Sequence, residues 1–132
     1  MQIGDTFEVK KTVTEAMTAS ALGSGGLRVF ATPILVAAME EAAFTCLQRS
    51  LPPEKSSVGT AVNITHVSPT PVGMEVRAVA ELVGISENGK LIDFTVRAFD
   101  EVGLIGEGTH QRAIVTSDRF LAKCRGKLTK EG

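Results

Sequence analysis

The sequence predicts an α+β domain in which one long helix lies on a curved antiparallel sheet of about five strands. Three observations carry this. A single stretch, Thr32 to Gln48, has helical periodicity without an interrupting glycine. A β-branched segment precedes it, and four segments of alternating polarity follow it. An Asn88-Gly89 pair sits between the second and third of those four, a strong hairpin signal. Strand, helix and then a four-strand meander describe a helix packed on one sheet.

Residues Thr6 to Thr14 (TFEVKKTVT) read as the first strand, and Ala19 to Leu22 as a short helix ended by the loop Gly23-Ser24-Gly25-Gly26. Thr32-Pro33 opens the long helix, with Thr32 suited to the N-cap and Pro33 to the first helical position. Leu35, Ala38, Met39, Ala42 and Cys46 then recur on one face. The helix is expected to stop before Leu51-Pro52-Pro53, because a residue preceding proline avoids the helical region. Val58 to Val67 alternates, with Val58, Val62, Ile64 and His66 assigned to one face. Ser68 to Gly73 breaks the chain. Met74 to Ser86 presents Met74, Val76, Ala78, Ala80 and Leu82 on one side, and Leu91 to Asp100 presents Ile92, Phe94, Val96 and Ala98. Leu104 to Val115 closes the meander, and Ser117-Asp118 caps a charged helix from Arg119 to about Lys127. A sheet with apolar residues on both faces calls for a partner copy, and a two-fold dimer is the commonest arrangement.

Composition narrows the function. The 132 residues suffice for one domain, 1–132, and its core. Fourteen Lys+Arg against fifteen Asp+Glu leave a net charge of −1, without the general basic footprint of a nucleic-acid binder. Trp and Tyr are absent, which removes most stacking platforms for single strands. Cys46 and Cys124 form neither a disulfide framework nor a zinc motif, and two histidines build no metal cluster. No apolar run reaches the length of a membrane span, and no signal peptide is visible, so a cytoplasmic location is expected, with no membrane partner and no cofactor. The glycine-rich loop lacks the preceding strand and following lysine of a phosphate loop.

The residues left for chemistry are Thr32, Glu40 or Glu41, His66 and His110. A helix cap is the simplest role for Thr32, although the first turn also offers unpaired N–H groups to a developing oxyanion. At about 100° per residue, Glu40 lies roughly 80° around the axis from Thr32 and Glu41 roughly opposite it. Glu40 is therefore the carboxylate better placed to share a cleft with the helix start. His66 closes an apolar strand face, where it is either structural or an acid–base group. His110 is read as exposed or as a phosphate contact. Arg97, Arg112, Lys123 and Arg125 are read as solvated charge that could meet anionic phosphates.

Val29-Phe30-Ala31-Thr32-Pro33, Met39-Glu40-Glu41-Ala42-Ala43, Ser57-Val58-Gly59-Thr60, His66 to Gly73 (HVSPTPVG) and Gly106-Glu107-Gly108-Thr109-His110 follow one another at intervals that resemble the hotdog-fold thioesterases, in particular the fluoroacetyl-CoA thioesterase-like group. The resemblance spans roughly residues 5 to 116. It implies the hotdog fold, a homodimer or a tetramer built from dimers, and acyl-CoA hydrolysis with coenzyme A as part of the substrate. It implies Thr32, Glu40 and His66 as catalytic, and Gly59, Pro33, His110 and Arg112 as substrate-binding. Bulky aromatic residues precede the central helix in the fluoroacetyl enzyme, where this chain has Gly23-Ser24-Gly25-Gly26. A non-catalytic acyl-CoA-binding dimer and an enoyl-CoA hydratase are the alternatives. Eight helical residues rise about 12 Å, so Thr32 and Glu40 of one unbroken helix cannot touch. Either a second copy completes the site or the helix begins after Thr32.

Overall fold

The computed structural model describes residues 1–129; residues 130–132, the end of the expected domain, lie outside the described residues. Strand β1 (Thr6–Thr12) leads through a single 3-10 turn and the short helix α1 (Ala19–Leu22) to the long helix α2 (Thr32–Gln48). Strands β2 (Lys55–His66), β3 (Glu75–Ile85), β4 (Leu91–Phe99) and β5 (Leu104–Thr116) follow, and helix α3 (Ser117–Arg125) runs into a final 3-10 turn. The five strands form one sheet in the order β1-β3-β4-β5-β2, antiparallel throughout. One face of it wraps α2.

The core is the meeting of two predicted stripes. Leu35, Ala38, Met39, Ala42 and Cys46 of α2 are buried against Val76, Ala78, Ala80 and Leu82 of β3 and Ile92, Phe94, Val96 and Ala98 of β4. The many alanines at this contact let the helix sit close to the sheet. On β5, Gly106 makes room for the helix and Gly108 for the neighbouring strand β2: a Cβ on Gly106 would lie 2.9 Å from Leu35, and one on Gly108 would lie 2.7 Å from the Ile64 Cα and collide with the Asn63 carbonyl.

Four readings of the sequence change. Thr32 is the first residue of α2 and not its cap; Ala31 occupies the N-cap with no side-chain bond, which leaves the Thr32 hydroxyl available for another partner. Val58 does not share a face with Val62, Ile64 and His66. Gly59 pairs with Arg112 and Ala61 with Gln111, so Thr60 is an extra residue that reverses the alternation. The Asn88-Gly89 turn is wider than two residues, because Ser86 and Leu91 close the hairpin and the Asn88 side chain accepts from the Lys90 N–H. Helix α3 starts at Ser117 behind Thr116, two residues earlier than expected and without a side-chain cap.

Gly108→Ala should destabilise the domain by about 2–3 kcal/mol, the usual range for forced overpacking. Urea denaturation monitored by circular dichroism checks this, and a wild-type midpoint would contradict the close approach of β2 to β5.

Candidate active site

Two groups of polar side chains lie along the α2–β2 seam. The first is at the start of α2. The Thr32 Oγ1 lies 2.7 Å from the His66 Nδ1, a hydrogen bond made possible because the hydroxyl does not cap its own helix. The His66 Nε2 is buried and has no hydrogen-bond partner among the described residues. Burial holds the His66 pKa below its ordinary value, against the nearby Ser68 backbone carbonyl, which raises it. A cavity of about 270 Å³ adjoins this pair, lined among others by Phe30, Thr32, His66 and Pro69.

The second group surrounds Gly59. The Glu40 carboxylate reaches from α2 toward Gly59, where an added Cβ would stand 2.9 Å from its Oε2 and 3.2 Å from the His110 Cε1. The Arg112 Nη1 lies 3.8 Å from the same Oε2. Arg112 is buried, and its position is fixed: Nε donates to the Ser57 Oγ at 2.8 Å, Nη2 to the Ser57 carbonyl at 3.0 Å, and the guanidinium lies over the Phe44 ring. The Nη1 also lies 3.2 Å from the His110 Nε2. Arginine only donates, so this Nε2 accepts, and the His110 Nδ1 carries the proton that it donates to the Ala61 carbonyl at 2.8 Å. His110 is thus held as one neutral tautomer. Burial depresses its pKa first; the Ala61 bond and Glu40 act upward and Arg112 downward. Burial likewise lowers the Arg112 pKa, and Glu40 opposes that.

The reading of His110 as exposed and of Arg112 as solvated charge is therefore corrected. Both are buried, because β5 turns its even-numbered residues toward α2 and Ser57 supplies the acceptors that a buried guanidinium needs. The signal was Ser57, two residues before Gly59 on the same strand face. Glu41 is on the outer side of α2, paired with Lys11 at 2.8 Å. Pro33 follows Thr32 in the first turn, and Gly59 faces Glu40. Thr32 meets His66, and Glu40 meets Gly59 and Arg112, but the two groups do not meet within one chain. From Gly59 to His66 is about 20 Å along β2, and α2 is unbroken from Thr32 to Glu40. No three His, Cys, Asp or Glu side chains converge as a metal site among the described residues. No helix is long and apolar enough to cross a membrane.

A single long helix wrapped by a curved antiparallel sheet in this strand order is the hotdog fold, and the solved structures that share it include thioesterases. The chain belongs to the fluoroacetyl-CoA-specific thioesterase family, whose model matches residues 13–118. It is 40% identical over 99 residues to the fluoroacetyl-CoA thioesterase of Streptantibioticus cattleyicolor, an alignment covering 75% of this chain and 70% of that protein. A solved structure of the fluoroacetyl-CoA thioesterase FlK superimposes with a TM-score of 0.89 at 34% identity, covering 96% of this chain and 97% of that one. A variant of FlK in complex with fluoroacetate and CoA gives 0.85 at 33% identity, covering 91% and 99%. A thioesterase superfamily member from Thermus thermophilus gives 0.89 at 27% identity, covering 98% and 94%.

His66 and His110 both titrate below 6.5 in the folded chain, so the folded state binds fewer protons than the unfolded one in that range. Their contribution to stability is complete above pH 6.5 and is lost as the pH falls through their folded values. Urea midpoints should drop between pH 7.5 and pH 5, and the drop should shrink in His110→Asn, which has no titrating ring. A midpoint that rises on acidification would contradict the burial of both rings.

Proposed function

We propose that this chain hydrolyses the thioester of an acyl-CoA at a site that two copies build between them, with Thr32 and His66 from one and Glu40, Gly59 and Arg112 from the other. The observation that carries this is the division of the polar residues into two half-sites on the same face of one edge strand. Strand β2 pairs with β5 on one side only and leaves its other edge open. Antiparallel pairing of two β2 edges about Asn63 sets Val62 opposite Ile64. With the extra residue Thr60 absorbed, it also sets Gly59 opposite His66. Paired residues share a face, so both half-sites meet on the side covered by α2. Such pairing also removes the exposed edge, which otherwise invites aggregation.

The chemistry follows from the residues. The thioester carbonyl lies between Glu40 and His66, and the missing Cβ at Gly59 gives it room beside the backbone. Glu40, 3.8 Å from the Arg112 Nη1, acts on the carbonyl carbon, either directly or by drawing a proton from water. A water oxygen ends on the acyl carbon, the C–S bond breaks, and the proton taken from that water passes through the neutral His66 ring to the departing thiolate. Thr32 orients the His66 ring through Nδ1, which leaves Nε2 for that proton. Backbone N–H groups near Gly59 and the first turn of α2 stabilise the oxyanion. Burial lowers the His66 pKa, which favours the neutral ring that can accept this proton.

Three outcomes test this with an acyl-CoA panel and a free-thiol readout. Glu40→Gln and His66→Ala should each lower kcat/KM by at least about 10²-fold, the usual scale for an acid–base group. Binding of acyl-CoA without thiol release by the wild type would instead favour a carrier. Refolding the two inactive variants together should restore about a quarter of wild-type activity, since random two-fold pairing makes half the dimers mixed and each mixed dimer holds one intact site. No recovery would mean that each chain holds its own site.

A further inference from the structure

We propose that the groove between α3, the β3–β4 hairpin and the start of β2 holds the 3′-phosphorylated nucleotide end of the acyl-CoA. This inference rests on acyl-CoA being the substrate. The groove has a volume of about 930 Å³, and its walls carry four cations, Lys55, Lys90, Arg119 and Lys123, against one carboxylate, Glu54. The chain as a whole has a net charge of −1, so this concentration of positive charge is local. Among the described residues, none of the four cations is in an ion pair or a side-chain hydrogen bond. Phe120 also lines the groove and is 41% exposed, a ring face on which a purine can stack.

The groove is preformed. The Ile114 N–H donates to the Lys90 carbonyl at 2.8 Å, which ties the hairpin tip to β5, and the Ser117 N–H donates to the Glu54 carbonyl at 2.9 Å, which ties α3 to the entry of β2. The Gln48 side chain bonds the Lys55 carbonyl and closes the end of α2 against the same strand. Its position also suits the substrate. Gly59 pairs with Arg112 and Lys55 with Thr116, so Gly59 and the groove belong to the same strand pair of the same copy. They are separated by about 13 Å along β2, a distance that the pantetheine arm spans. A thioester at Gly59 and phosphates among Lys55, Lys90, Arg119 and Lys123 therefore fit one extended ligand lying along the α2–β2 seam.

The test compares an acyl-CoA with the same acyl group on pantetheine, which lacks the nucleotide. In the double variant Lys90→Glu/Lys123→Glu, the ratio of kcat/KM for the two substrates should fall about tenfold or more, through KM for the acyl-CoA. Arg97→Ala, on the opposite face of the sheet, should leave that ratio at the wild-type value. Calorimetric titration of adenosine 3′,5′-bisphosphate should show binding to the wild type that weakens with added salt and is lost in the double variant. A ratio unchanged in the double variant, or an equal loss on both substrates, overturns the groove while leaving hydrolysis established. If no acyl-CoA is turned over, the catalytic reading fails, and the titration still decides the groove, since absence of nucleotide binding to the wild type overturns it.

Discussion

The site depends on one extra residue in β2. Side chains on a strand alternate between its faces, and Gly59 and His66 are seven positions apart, an odd separation that puts them on opposite sides of a regular strand. Thr60 is the residue without a partner on β5, and it brings Gly59 and His66 to the same face, the one against α2. Its hydroxyl donates to the Gln111 carbonyl and side-chain amide, so the irregularity is held by the neighbouring strand. Without the bulge, either the imidazole or the glycine opening would point away from the helix that carries Glu40.

Charge burial follows from the same geometry. On the near side of the bulge, Ser57 and Gly59 share the inner face with Arg112, and the serine's hydroxyl and carbonyl take two of the guanidinium's donors. A third donor fixes the tautomer of His110, and the remaining field falls on Glu40. A buried arginine is costly unless its donors are met, and here one serine and one histidine meet three of its five. A Cβ at 59 would displace the Glu40 carboxylate and press on the His110 ring, so glycine keeps the space between them open. Four residues on two strands, β2 and β5, thus surround one carboxylate from α2.

The groove at the other end of β2 relies on the same strand. β2 runs from Lys55, beside α3 and the hairpin tip, to His66, beside the start of α2. A ligand extended along it would meet cations first, then the Gly59 opening, then the edge that a second copy would cover.

Much of this was legible in the residues. The spacing of Leu35, Ala38, Met39, Ala42 and Cys46 marked the buried stripe of α2, and alternation in β3 and β4 marked the sheet face against it, because these patterns depend only on backbone periodicity. The motif order around Thr32, Glu40, Gly59 and His66 marked the family. Periodicity could not locate the bulge at Thr60, so Val58 was assigned to the wrong face. Composition could not show that Arg112 is buried, since whether a charge is solvated depends on what packs above it. The sequence by itself therefore determined the elements, the core and the residue types available for thioester chemistry. The tertiary structure decided which of them meet: register, a bulge and a shared strand face are long-range properties, and they divide the polar residues into two groups about 20 Å apart along β2.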